Sequence, residues 1–231
     1  SNGGSRNLVN KIFLTASGTG IGKTFVTRVL IHQLRARGRA VRALKPIATG
    51  FGTDGGEPSD TELLLRSLGL ETDAKSIDAI SPWRFSEPLS PDMAAAREQT
   101  SIEFEQLVSF CEAHGERELT LIEGIGGIMV PLDEEHCVLD WIAALGTPSL
   151  LVVGSYLGTL SHTLTAAGML QARGIEIAGI VVNESEAQPV PAQETAEVVA
   201  RFVPTVPIRV LNRLERPEDA PDLLPLLAPY L

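Results

Sequence analysis

Five apolar runs, at residues 12–15, 41–44, 119–122, 150–153 and 177–182, are the length of strands and too unbroken to leave one face wet. Between them the apolar positions shift to a period near 3.6, as in Val26, Val29, Leu30 and Leu34, which marks helices with one buried stripe. Alternation of the two patterns predicts an α/β architecture: a three-layer, Rossmann-like fold with a mostly parallel central sheet wrapped by helices. Helix ends support it. Thr100 with Glu103 reads as a capping box ahead of Phe104, Leu107, Val108 and Cys111, and Ser59 with Glu62 as another ahead of Leu63, Leu64, Leu65 and Leu68. Gly38, Gly69 and Gly174 fall where helices stop. Residues 206–210 read as a last strand and 222–230 as a short helix. The proline- and serine-rich stretch 81–91 exceeds a simple connection and reads as a long functional loop.

A chain of 231 residues can enclose one large α/β core, so residues 1–231 are read as one domain. Residues 1–5 look like a cloning scar and are left out of the fold reasoning. The formal charge of −10 argues against a nucleic-acid partner or an anionic membrane surface, both of which demand a basic face. Cys111 and Cys137 lack metal-pair spacing and read as ordinary thiols of a cytoplasmic protein. No apolar stretch approaches the roughly 18 residues of a membrane span, and no charged-then-apolar leader opens the sequence.

The chemistry begins directly after the first run. Thr19-Gly20-Ile21-Gly22-Lys23-Thr24 stands between a strand and a helix, the setting of a phosphate-binding P-loop. Glycines let backbone N–H groups curl around phosphate oxygens, the helix presents its positive end, Lys23 supplies a compact cation and the Thr24 hydroxyl can ligate Mg²⁺. The usual spacing calls for glycine at position 17, where Ser17 stands. In an open parallel sheet ligands gather beyond the carboxyl ends of the strands, and this chain places informative residues there. Lys45-Pro46 follows the second run: a second cation beside the loop, or a solvated strand-end lysine. Asp60, at a helix start, is either part of that cap or an oxygen ligand for Mg²⁺. Glu123, closing the third run ahead of Gly124-Ile125-Gly126-Gly127, reads as a nucleotide-metal sensor or as a solvent-facing acid before a flexible turn. Asn183 ends the fifth run, and its amide suits the N6 and N7 edge of adenine or a simple turn. His162 reads as a packing or surface residue.

These residues together resemble the dethiobiotin synthetase family of P-loop ligases. The resemblance is carried by the P-loop, Lys45-Pro46-Ile47-Ala48-Thr49-Gly50, Ser59-Asp60, Phe85-Ser86-Glu87-Pro88-Leu89-Ser90-Pro91, Glu123-Gly124-Ile125-Gly126-Gly127, Pro131-Leu132, Asp140-Trp141 and Asn183. It implies a homodimeric P-loop NTPase fold that uses ATP and Mg²⁺ to join CO₂ to diaminopelargonic acid and close a ureido ring. Gly20, Ile21, Gly22, Lys23, Thr24 and Phe25 would then cradle the phosphates, and Thr24, Asp60 and Glu123 would surround the metal. Gly124, Ile125 and Gly126 would approach the nucleotide. Asn183, with Pro207, Ile208 and Arg209, would meet the purine. Lys45 matches the family's active-site lysine, Thr19 and Thr49 contact the diamine or its carbamate, and Gly126 offers a backbone contact. Gly158, Thr159, Leu160 and Ser161 resemble the helix start that receives the substrate carboxylate at the dimer interface.

The chain departs from the family where Thr15-Ala16-Ser17-Gly18-Thr19 replaces Thr-Gly-Thr-Asp-Thr, where Asp92 replaces a histidine, and where no tyrosine occurs between Tyr156 and Tyr230. Two rivals share the loop. One is an amidoligase of the cobyrinic acid type, whose glutaminase domain would not fit in this length. The other is a switch ATPase of the chromosome-partitioning or septum-site type, whose signature lysine would occupy the position of Gly18.

Overall fold

The structure, a computed structural model, describes residues 11–53, 55–113 and 118–231; the scar-like residues 1–5 lie outside them. In chain order the elements are β1 (Lys11–Ala16), α1 (Lys23–Ala36), β2 (Val41–Leu44), β3 (Ile47–Thr49), α2 (Asp60–Leu68), α3 (Ala74–Ile80), β4 (Trp83–Phe85), α4 (Pro91–Arg97), α5 (Phe104–Glu112), β5 (Leu119–Glu123), α6 (Val138–Leu145), β6 (Ser149–Val153), α7 (Thr159–Ala172), β7 (Ile177–Asn183), α8 (Ala192–Phe202) and β8 (Ile208–Leu211). Six strands form one sheet in the order β2-β5-β1-β6-β7-β8, every pairing parallel, with helices on both sides. The unbroken apolar runs are explained by this: every residue of β6 is buried, as are Ile12 to Ala16 of β1.

Packing fixes the centre of the sheet. Phe13 meets Trp141 edge-on at 4.8 Å between ring centres. A 3₁₀ segment, Leu224–Tyr230, lies over β7, and a Cβ at Gly179 would come within 2.8 Å of the Leu226 side chain, which would have to shift to admit it. The segment stands where the sequence predicts a short helix from 222.

The capping expectations divide. Ser59 caps α2 as predicted, with Glu62 Oε2 accepting the Ser59 backbone N–H at 2.8 Å. Thr100 does not cap α5: the helix begins at Phe104 after Glu103, which makes no side-chain cap bond, and the Glu103 carboxylate accepts from Ser101 Oγ at 2.8 Å instead. The stretch 81–91 is also not a plain loop. It contains β4, which pairs in parallel with β3 from Ile47↔Trp83 to Thr49↔Phe85, and it ends on the first residue of α4.

Strand register brings the chemistry together. β1 lies between β5 and β6, so the chain leaves the sheet's middle toward both edges, and the crevice at such a switch point opens above the strand ends. Leu14 pairs with Glu123, and Leu44 with Ile122, so Lys45 follows β2 beside the end of β5.

Candidate active site

The loop after β1 turns through Gly20 and Gly22, whose φ angles of 69° and 96° belong to the left-handed region. Ser17 needs no such angle, since Gln99 is the one non-glycine with positive φ among the described residues. The glycine missing at position 17 therefore imposes no backbone strain. A Cβ at Gly22 would collide with the Asn183 amide, which donates from Nδ2 to Ile21 O at 2.8 Å. Asn183 thus ties the loop to the end of β7, a role beyond the base contact expected of it. No side chain caps the start of α1, which leaves its first N–H groups facing the loop.

Behind the loop is a buried charge cluster. Lys23 and Lys45 are 8% and 5% exposed and Glu123 is 1% exposed, so neither the solvated lysine nor the solvent-facing acid allowed by sequence is found. Lys23 Nζ donates to Gly126 O at 3.1 Å, and Lys45 Nζ to Gly124 O at 2.7 Å and Glu123 Oε1 at 3.1 Å. Glu123 also accepts from the Thr24 hydroxyl at 2.6 Å and the Thr27 hydroxyl at 2.8 Å. Burial, then the neighbouring Lys45, lowers the Lys23 ammonium to a pKa of about 8, with Glu123 and Asp60 opposing. Burial alone would push Glu123 up; Lys45, the Thr24 hydroxyl, Lys23 and the Thr27 hydroxyl outweigh it and hold the carboxylate below its usual value.

Three clefts border the loop: one of about 440 Å³ lies between Ser17, Gly18 and Thr19, residues 127–131 and the α7 side chains His162, Thr165, Ala166 and Met169, and two others hold most of the candidate residues. The larger, about 740 Å³, is lined by the loop from Ser17 to Gly22 with Phe25, Asn183 and, on its far wall, Tyr156, His162, Glu184, Ser185, Arg213 and Leu214. The smaller, about 270 Å³, is lined by Thr19, Gly20, Lys23, Lys45, Thr49, Asp60, Ile125 and Gly126, together with Ala48, Phe51, Pro58, Ser59 and Thr61. Thr19 and Gly20 face both. Gly124 lines neither cleft; a Cβ there would press on Phe13 at 2.8 Å, and its carbonyl serves Lys45.

Two expectations are displaced. Pro207, Ile208 and Arg209 sit at the beginning of β8, since Ile208 pairs with Ile180 and Leu211 with Asn183; Ile208 and Arg209 face a separate groove beside α8. The residues beyond β8 that reach the large cleft are Arg213 and Leu214, and the strand-end rule would have found them had the strand been drawn to Leu211. Gly158, Thr159, Leu160 and Ser161 line neither cleft. The Thr159 hydroxyl donates to Gly154 O at 2.7 Å, while Gly158, Leu160 and Ser161 are exposed. His162 is exposed as expected, but it also borders the large cleft and its Nδ1 is 2.8 Å from the Tyr156 hydroxyl, a pairing the sequence did not suggest. Cys111 and Cys137 are free thiols, the first buried.

A family model described as an AAA domain matches residues 10–220. Among curated proteins the chain is 47% identical over 217 residues to the ATP-dependent dethiobiotin synthetase BioD of Acidiphilium cryptum, covering 93% of this chain and 95% of that protein. It is 42% identical over 225 residues to the protein of the same name from Methylobacterium nodulans, covering 94% and 100%. Among solved structures it is similar to chloroplast FtsY from Physcomitrella patens, with a TM-score of 0.51 at 15% identity over 95% of this chain and 64% of that one. A ParA family ATPase from Chlorobium tepidum gives a TM-score of 0.50 at 14% identity over 89% and 86%. These two likenesses are of fold alone, a P-loop NTPase fold. Identity at this level over nearly the whole length is a different matter: the chain belongs to the ATP-dependent dethiobiotin synthetase family.

Proposed function

We propose that the chain, working as one P-loop unit in the cytoplasm, joins CO₂ to diaminopelargonic acid and closes the ureido ring of dethiobiotin at the expense of ATP, and that the residues of the two clefts divide this work. The observation that carries the assignment of roles is the pair of buried lysines, Lys23 and Lys45, facing one cleft with Thr19, Thr49 and Asp60. A free alkylamine is mostly protonated near neutral pH and cannot attack. Two ammonium groups beside it disfavour its cationic form, so it binds as the nucleophile, and the carbamate anion it forms with CO₂ is then held by the same two charges.

A carbamate oxygen next attacks the γ-phosphorus of ATP and ADP leaves, with Lys23 reaching the transferring group from the loop. Thr49, Thr19 and the Gly126 backbone orient the diamine. The second amine then displaces phosphate within the same molecule, so the closing step depends chiefly on orientation.

Magnesium fits the donors present. Thr24 Oγ1, held by Glu123 at 2.6 Å, and the exposed Asp60 carboxylate, which lines the lysine-side cleft, are hard oxygen ligands. Glu123 has both oxygens engaged by Thr24, Thr27 and Lys45, so it would act through the Thr24 hydroxyl. Among the described residues no group of three or more His, Cys, Asp or Glu stands together, which suits an ion that takes few protein carboxylates and completes its shell with phosphate and water. When bound, it would neutralise charge on the β- and γ-phosphates.

The helix start 158–161 lies outside both clefts of its own chain, and Leu157 and Leu160 beside it are 84% and 37% exposed. A homodimer would cover this apolar face and carry the helix start toward a partner's diamine. Among the described residues no helix is long and apolar enough to cross a membrane. Incubation with ATP, Mg²⁺, bicarbonate and diaminopelargonic acid should yield a product of dethiobiotin mass. Its absence at saturating substrate would sink the assignment.

A further inference from the structure

The corner between α3 and β4 braces the lysine-side cleft at several points. Ile80 O accepts the backbone N–H of Lys45 at 3.0 Å, the Ser81 hydroxyl lies 2.8 Å from that of Thr61, and Ser81 O accepts from Arg84 Nη1 at 2.6 Å. Lys45 and Thr61 line the cleft themselves, whereas Arg84 does not. Its guanidinium, paired also with Asp78 at 2.7 Å, lies 5.4 Å from the ring centre of Phe51, which does line the cleft. The turn presenting that ring is held too. The Phe51 N–H donates to Phe85 O at 2.9 Å, and Gly50 takes a φ of 69° where a Cβ would press on Pro88 at 3.2 Å.

A phenyl ring offers a phosphate no hydrogen bond, and its attraction for a cation is already directed at the Arg84 guanidinium. In a cleft of lysines, hydroxyls and a carboxylate it needs an apolar neighbour, and the diamine brings one in the alkyl chain between its amines and its carboxylate. We propose that Phe51, with Ile125 and Pro58, forms the wall on which this hydrocarbon body rests, and that Arg84 is a positioning residue that holds the Phe51 ring in place. The inference rests on reading the small cleft as the diamine site. Each methylene moved from water onto such a wall strengthens binding about fourfold, so the ring selects substrates by chain rather than by reacting groups.

The test compares diaminopelargonic acid with diaminobutane, a vicinal diamine without the carboxyalkyl chain, using KM for the first and the inhibition constant against it for the second. Phe51→Ala should raise KM for diaminopelargonic acid about tenfold, with kcat and the KM for ATP within about twofold and the diaminobutane constant unchanged. Phe51→Leu, a smaller change to packing, should give about a threefold rise in the same direction and serves if the alanine variant does not fold. Arg84→Gln should raise KM about threefold in the unaltered protein and add nothing to Phe51→Ala, a coupling that a merely structural arginine would not produce. Equal weakening of both diamines, or additive effects of the two substitutions, would overturn the inference while the enzyme remained a dethiobiotin synthetase. An unaltered protein that makes no dethiobiotin would overturn the functional reading and this inference with it.

Discussion

On the lysine side of the P-loop, the central polar groups hold one another: Lys45 is fixed by Glu123 and Gly124, Lys23 by Gly126, and Glu123 by two threonine hydroxyls besides. On the other side the cleft is bordered by groups at solvent. Arg213 and Glu186 have side chains 62% and 87% exposed and stand 3.8 Å apart, and His162 and its Tyr156 partner meet at the rim. The contrast fits the proposed division of work. Charge that develops in a reaction is stabilised best by groups already oriented in a place that water does not reach, whereas a base can be gripped by strand-end side chains and loops that tolerate change. Asn183 belongs to both, holding Ile21 of the loop while it faces the large cleft.

The sharpest way to break the contrast is at Lys45. Replacing it with alanine should lower kcat by a factor on the order of a thousand, while the ATP dissociation constant, read by calorimetry, moves by less than about threefold because Lys23 and the loop remain. Glu123 loses its ion-pair partner in that variant, and a buried charge left so costs about 3–5 kcal/mol; a lower melting temperature should accompany the lost turnover. Loss of ATP binding in a variant that still folds would show that Lys45 serves the nucleotide, and the division between the clefts would fail.

Lys23 gives a smaller effect, tied to pH. Its pKa in the ligand-free fold is about 8, below its ordinary 10.5, so the folded chain binds fewer protons there than the unfolded one. Stability of the ligand-free protein should therefore rise as pH climbs from about 8 toward 10.5, the full cost of holding the charged lysine being present below that window. A triphosphate beside Nζ favours the charged form again, so ATP binding should take up a proton above pH 8 and weaken by up to about tenfold per pH unit. Calorimetry in buffers of different ionisation enthalpy measures that uptake directly. An Asn183→Ala variant should keep the same pH slope, and a changed slope would mean that the base side is coupled to the buried charges.

How much of this was legible in the sequence depended on the same division. The P-loop is marked by its motif. Lys45 and Glu123 stand at the ends of long apolar runs that a parallel sheet makes converge; position alone leaves a solvated lysine and a solvent-facing acid open, and the family resemblance favours the site. Their burial was not legible, since Lys45 and Glu123 come together only through the register of β2, β5 and β1. β3 and β4 escaped because three-residue strands carry no period, and what defines them is a pairing across 36 residues, from Ile47 to Trp83. The cap at Thr100 failed for a local reason: Ser101 is the residue that engages the Glu103 carboxylate, and the helix starts after it. Neither choice shows in spacing alone.

Residues 207–209, expected at the purine, lie at the start of β8, whereas the chain beyond β8 reaches the large cleft, and this yields the finest test. Beyond Leu211 the chain reaches Arg213, whose backbone N–H donates to Glu184 Oε2 at 2.8 Å, which sets its guanidinium at the large cleft. Arg209 faces the groove beside α8, with its Nη1 turned back to Ile208 O at 3.0 Å. Asn183→Ala should raise the KM for ATP about tenfold, since it removes both the base-edge amide and the tie to Ile21. Arg213→Ala should raise it about threefold, the scale of one largely exposed charge. Arg209→Ala should leave it unchanged, because that side chain stands at the amino end of a parallel strand and ligands gather at the carboxyl end. If Arg209 and Arg213 exchanged ranks in that series, the base would have to lie across the start of β8, and the larger cleft would no longer be the nucleotide's.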